Sequence, residues 1–118
     1  MAGSRIIKIN KAIKKELADI IRNEVKDDRL LPMTTVTDVN TTGDLKFASV
    51  SVSVYEDNEK KRDACIDALN HASSFIRSCL AKRLSFRTVP HLDFVLDKNI
   101  EYSFYIDRKL KEVLHEDE

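Results

Sequence analysis

Between Ile6 and Val25 the apolar residues Ile6, Ile9, Ile13, Leu17 and Ile20 recur at intervals of three and four, which puts them on one face of a helix. At about 100° per residue, Lys8, Lys11, Lys15 and Arg22 fall within a stripe roughly 60° wide on the opposite side. The predicted helix is amphipathic, and its wet face is basic. Asp27, Asp28, Arg29 and Pro32 end it. Thr34 to Thr41 is rich in β-branched residues and alternates, so it reads as a strand, and Thr42, Gly43 and Asp44 make a turn. From Leu45 to Tyr55 the alternation is stricter. Ala48, Val50, Val52 and Val54 share one face, and Phe47, Ser49, Ser51, Ser53 and Tyr55 share the other. The two strands form a hairpin with one buried face.

The helical period returns from Glu59 to Leu84, where Cys65, Leu69, Ala72, Ile76, Cys79 and Leu80 keep helical spacing and Asp57 or Asn58 supplies the N-cap. So long a helix in so small a chain predicts a bend. Ala72, Ser73 and Ser74 are the place for it, because helix propensity dips there and serine side chains compete for backbone hydrogen bonds. Val89 to Leu96 holds Pro90 near its start and then alternates Leu92, Phe94 and Leu96, which predicts a third strand. Ile100, Phe104, Ile106, Leu110 and Val113 predict a short closing helix within Asn99 to His115, before an acidic tail over about 112–118. The predicted order is α-β-β-α-α-β plus a terminal helix. It describes an α+β domain in which a kinked helix pair covers one face of a three-stranded mixed sheet.

A chain of 118 residues is sufficient for one domain and one core, so 1–118 is read as a single unit. No apolar run approaches the roughly 20 residues of a membrane helix, and the N-terminus lacks a signal-peptide pattern, so a cytoplasmic protein without a membrane partner is expected. Cys65 and Cys79 have no Cys or His nearby at metal-ligand spacing and are expected to be reduced core thiols.

The net charge is zero, but the charges are sorted along the chain. Residues 1–26 carry seven bases against three acids, residues 27–72 five against nine, residues 73–90 four against none, and residues 91–118 four against eight. Arg77, Lys82, Arg83 and Arg87 make up the acid-free block. Two basic segments therefore punctuate a neutral protein, a pattern compatible with a polyanion partner.

Catalysis has little to work with. His71, His91 and His115 sit in three different elements beside no nucleophile motif, and Gly3 and Gly43 cannot build a phosphate-binding loop. Asp27 with Asp28, and Asp93 with Asp97, read as solvated acids at element ends. No enzyme activity, metal or cofactor is expected. Phe47, Tyr55, Tyr102 and Tyr105 are conceivable stacking partners for bases, and Lys46-Phe47-Ala48 has a slight similarity to the first ribonucleoprotein motif. That motif belongs to a four-stranded fold that starts with a strand, which this chain does not offer. The basic features weigh more. Ser74, Ser78 and Ala81 line one side of the second helical segment with Arg77 and Lys82 beside them, a stripe of small side chains that a sugar-phosphate backbone can approach closely. The plain alternative, for this stripe and for the lysines of the first helix, is a solvated helix face.

Several blocks resemble one family. They run from Glu16-Leu17-Ala18, Ile20-Ile21 and Glu24-Val25-Lys26-Asp27 with Arg29, through Thr35-Val36-Thr37-Asp38-Val39, Asp44-Leu45-Lys46-Phe47-Ala48 and Val52-Ser53-Val54. They continue with Phe75-Ile76-Arg77, Leu80-Ala81-Lys82-Arg83-Leu84, Arg87, Pro90, Leu92-Asp93-Phe94, Asp97 and Ile100-Glu101-Tyr102. In this order and spacing they resemble the ribosome-binding factor A family, a type II KH-like fold in which a kink of the form Ala-x-Gly replaces the usual Gly-x-x-Gly clamp. Here Ala72 is kept, Ser74 stands at the kink glycine, Asp28 stands where proline is usual, and Glu116, Asp117 and Glu118 replace a basic extension found in some members. The resemblance implies a factor that binds free or immature small ribosomal subunits, assists late maturation and 5′ end processing of their RNA, and supports growth in the cold. Combined with the basic surfaces read above, this gives an expectation of RNA contact through Ser73, Ser74, Arg77, Lys82, Arg83 and Arg87, with Lys8, Lys11, Lys15 and Arg22 positioning the domain; a monomer is expected, since nothing resembles a heptad or an exposed apolar stripe. A second reading keeps the fold but has the helix surface meet ribosomal proteins rather than RNA.

Overall fold

The computed structural model describes residues 2–86 and 88–97. The element order is α1 (Ala2–Asn23), β1 (Thr34–Thr41), β2 (Phe47–Val54), α2 (Glu59–His71), α3 (Ser73–Arg83) and β3 (His91–Leu96). β2 is the middle strand, antiparallel to β1 and parallel to β3, so the sheet is mixed. The α-β-β-α-α-β order expected from the periodicities is the order found. The predicted closing helix and acidic tail lie outside the described residues.

The apolar periods become a single core. Ile13, Leu17 and Ile20 of α1, Cys65 and Leu69 of α2, and Ile76 and Leu80 of α3 are wholly buried. They meet a sheet face made by Val36, Val39, Ala48, Val50, Val52, Val54, Leu92 and Phe94. Register explains why these strand residues share a face, since Val36 faces Val52, Val50 faces Phe94 and Ala48 faces Leu92 across the ladders.

The alternation expected in β1 is interrupted. Val36 and Val39 are three apart, and strict alternation would send them to opposite faces. The register steps from Val36–Val52 to Asp38–Ser51, leaving Thr37 as the extra residue of a β-bulge that returns Val39 to the core. Thr37 Oγ1 donates to Asp97 Oδ2 at 2.7 Å and to the Ser51 carbonyl at 3.2 Å, so the bulged residue is fastened rather than loose. Ser53, placed by alternation on the open face, is buried as well. In the hairpin turn the left-handed conformation falls on Leu45, with φ of 63°, and not on Gly43. The Thr42 and Asp44 side chains hold that turn: Thr42 Oγ1 donates to Asp44 Oδ1, which also accepts the Lys46 amide. Of the two candidate caps for α2, Asn58 is the one whose side chain accepts a backbone amide, that of Lys61 at 3.2 Å. Before β1, Asp27 accepts the backbone amide and guanidinium of Arg29, which holds its carboxyl down at about 2.

The helix pair breaks where expected. Ala72, at φ −87° and ψ 5°, ends α2 and begins α3. Around this break three polar side chains reach the backbone of β3 and the segment before it. Asn70 Nδ2 donates to the Phe94 carbonyl at 2.9 Å while its Oδ1 accepts the Phe94 amide at 2.8 Å. Ser73 Oγ donates to the Leu92 carbonyl at 2.7 Å, and Arg77 donates through Nε and Nη2 to the Val89 carbonyl at 3.0 and 2.8 Å. Among the described residues β3 is an edge strand, and these bonds satisfy backbone groups that no fourth strand there pairs.

Replacing Asn70 with Ala leaves the Phe94 amide and carbonyl without these partners, and an unsatisfied part-buried polar group costs about 1–3 kcal/mol. Urea unfolding is expected to show a loss of that size for Asn70→Ala, with an unchanged dependence on denaturant.

Candidate nucleic-acid interface

All four cations of the predicted stripe on α1, Lys8, Lys11, Lys15 and Arg22, are exposed, opposite the buried face of Ile13, Leu17 and Ile20. None of them makes an ion pair among the described residues. Lys8 also lines a groove of about 480 Å³ at the N-terminal end of α1, together with Arg5, Leu45, Phe86, Thr88 and Pro90. Arg5 was not legible as part of the basic stripe, because its phase lies outside it. Helix spacing makes Arg5 and Lys8 neighbours, and the approach of the segment before β3 to the start of α1 supplies the facing wall of one concavity. The strained Leu45 is in the same wall.

The small-residue side of α3 is open as predicted. Ser74, Ser78 and Ala81 are exposed and line a second groove of about 390 Å³, faced by Phe86, Thr88 and His91. The two grooves share Phe86 and Thr88, so they lie on either side of one short segment. Among the described residues neither has a carboxylate in its lining. The concavities around the end of α1 differ in this respect, since Asp27 and Asp28 line one and Glu24 and Asp27 the other. The charge sorting seen along the chain thus reappears as an acid-free region in space.

Three residues expected to touch RNA are occupied within the fold. Ser73 and Arg77 are committed to the backbone of β3 and its approach, as described above. Arg83 reaches across to α1, donating to Glu16, Asp19 and Glu24. Its guanidinium fork fits several carboxylates at once, and three acids more than neutralise it. Its hydrogen bonds hold the Asp19 carboxyl below the usual range, and the same contacts push the Arg83 value up. Ser74 and Lys82 remain exposed, and Lys82 makes no ion pair among the described residues. Arg87 lies outside the described residues. Ser74, at the kink glycine of the resembled family, needs no glycine here, because no positive φ falls at that position.

Among the described residues no group of three His, Cys, Asp or Glu side chains is placed to hold a metal, and no helix is long and apolar enough to cross a membrane. Cys65 is buried and unpaired, with its sulfur 3.5 Å from the Leu31 amide, and Cys79 is half-buried and unpaired.

The family model described as ribosome-binding factor A matches residues 5–110, a span that contains every residue of both grooves. The chain belongs to the ribosome-binding factor A family. A ribosome-binding factor A from Clostridium botulinum, strain Eklund 17B, is 42% identical over 106 residues, covering 90% of this chain and 91% of that protein. The crystal structure of ribosome-binding factor A from Thermus thermophilus superposes with a TM-score of 0.68 at 26% identity, covering 77% of this chain and 93% of that one. A Thermus thermophilus ribosome-binding factor A homology model, fitted into the cryo-EM map of a 30S complex, gives 0.62 at 27% identity over 75% of this chain and 91% of that one.

The contact of Arg83 with α1 has a pH signature. Asp19 has a lowered value in the folded chain, so its contribution is complete above the ordinary carboxylate value of 3.8 and is lost as pH falls through the folded value. Stability measured by denaturant from neutral pH downward is expected to decline below that point. In Arg83→Met the decline is expected to be shallower, with a lower plateau at neutral pH.

Proposed function

We propose that this chain is a non-catalytic assembly factor of the cytoplasm that binds free or immature small ribosomal subunits as a monomer. In this reading it holds one conformation of the small-subunit RNA during late maturation and 5′ end processing, and then leaves. The observation that carries the reading is the pair of adjoining grooves whose described lining holds no carboxylate, bordered by Arg5 and Lys8 on α1 and by Ser74 and Ser78 on α3. The Thermus relative placed in a 30S complex supports the choice of partner.

The mechanism requires affinity rather than bond chemistry. Lys8, Lys11, Lys15 and Arg22 neutralise phosphates along α1, and Lys82 does so at the end of α3. The small Ser74, Ser78 and Ala81 side chains let the sugar-phosphate backbone approach the helix, and hydroxyls donate to phosphate oxygens. Ser73, Arg77 and Arg83 act indirectly, by fixing α3 against β3 and α1 so that the groove walls keep their spacing. A surface that fits one arrangement of an RNA better than another shifts the RNA toward that arrangement by the difference in affinity, with no energy source needed.

A second reading, contact with ribosomal proteins, is favoured by one specific feature. Met33 is 63% exposed beside a groove in which Val25, Leu30 and Leu31 are edged by Arg22, Lys26, Asp27 and Asp28, an apolar floor with a charged rim suited to a protein side chain.

Co-sedimentation of the purified chain with free small subunits, free large subunits and whole ribosomes over a salt series distinguishes the two. Binding selective for free small subunits and falling steeply with salt is expected. The variant Lys8→Ala, Lys11→Ala, Lys15→Ala should lower the slope of log affinity against log salt by about 0.7–0.9 for each phosphate that is no longer neutralised. Binding that ignores both salt and these lysines, but is abolished in Met33→Asp, would favour the protein-contact reading.

A further inference from the structure

The open face of the sheet carries an aromatic pair that the groove description leaves without a task. Phe47 begins β2 and faces His91, which begins β3, in the parallel ladder. Their ring centroids lie 5.6 Å apart at an interplanar angle of 31°. The pairing is held by the backbone, since the His91 amide donates to the Lys46 carbonyl at 2.9 Å. Phe47 is nevertheless 56% exposed, on a face where the next outward residues of β2 are Ser49 and Ser51. A solvent-facing strand position does not call for a phenyl ring, and nothing in the core depends on this one.

The position of the pair is what gives it meaning. His91 also forms part of the wall of the groove lined by Ser74, Ser78 and Ala81, and Phe47 lies beside it on the side of β2. Lys46 is exposed beside Phe47. A flat apolar surface opening onto a carboxylate-free channel matches a nucleotide, whose base has an apolar face and whose phosphate seeks cations. Asp93, two residues along β3 on the same outward side and opposite Ser49, bounds the platform with a negative charge.

We propose that Phe47 and His91 form a stacking platform for one unpaired base of single-stranded RNA, with the backbone on one side of that base entering the groove between α3 and the segment before β3. This rests on the RNA-binding reading above and narrows it. The platform selects RNA that is locally unpaired, because a base within a duplex cannot present its face. The lysines of α1 contribute charge without that selection.

The experiment compares the full chain with Phe47→Ala, Phe47→Tyr and the triple lysine variant, using a short mixed-sequence oligoribonucleotide as the probe, single-stranded or annealed to its complement. Phe47→Ala is expected to weaken single-strand binding by about tenfold, with the salt slope unchanged and duplex binding unaffected. Phe47→Tyr keeps a ring and should keep most of the affinity. Upfield ring-current shifts of base protons on binding are expected with the parent chain and not with Phe47→Ala, and thermal unfolding of each variant verifies its fold. Single-strand binding that is weakened by the lysine variant but equal in the parent and Phe47→Ala overturns the platform and leaves the RNA reading standing. Equal weakening for single strand and duplex in Phe47→Ala also overturns it. Absence of binding to either probe by the folded parent chain overturns both.

Discussion

A parallel edge strand is a difficult element to leave uncovered. One side of β3 pairs with β2, while on the other side its backbone amides and carbonyls point away from the sheet with no further strand among the described residues to meet them. The chain satisfies that side with side chains. The Asn70 amide group imitates a backbone unit, giving and taking one hydrogen bond with Phe94, and Ser73 and Arg77 continue the row to Leu92 and Val89. Spacings of three and four keep Asn70, Ser73 and Arg77 on one side of the helix pair despite the break at Ala72. Much else follows from this seam. It sets the height of α3 above the sheet edge, and the gap between its small residues and the segment before β3 becomes the groove.

The same economy operates between α1 and α3. The basic character of residues 73–90 is partly consumed by Arg83, which meets two carboxylates of α1 and that of Glu24 just after it and so binds the two helices side by side. Of the basic residues of that block, Lys82 stays exposed without an ion pair among the described residues, as do Lys8, Lys11, Lys15 and Arg22 along the outer side of α1. A neutral protein can in this way present a positive region without becoming a general polycation, with Asp27 and Asp28 lining concavities at the far end of α1.

Much of this architecture was legible in the sequence because it rests on periodicity. Ile13, Leu17 and Ile20 declare a helix face, Val50, Val52 and Val54 a strand face, and Ala72-Ser73-Ser74 the bend, each through neighbours close in the chain. The bulge at Thr37 was less visible, although two valines three apart in a β-rich run already conflict with a period of two. What escaped were the tasks of polar side chains whose partners are distant. Arg77 and Arg83 read as free cations because charge is a property of the residue, whereas neutralisation by Glu16 and Asp19, or use by the Val89 carbonyl, is a property of the fold. The membership of Arg5 and Leu45 in one groove is a tertiary fact of the same kind.

The bulge in β1 bears on a different question, how the sheet stops growing. β1 is the second edge, and a flat edge strand rich in threonine and valine is a template on which another chain can polymerise. The extra residue at Thr37 bends this edge and spoils its hydrogen-bonding repeat, and at its end the Asn10 side chain of α1 accepts both the amide and the hydroxyl of Thr41. An incoming strand therefore finds no continuous ladder to extend. A small protein made of helices on a half-open sheet is protected from amyloid-like growth at this edge by one misfit residue and one amide.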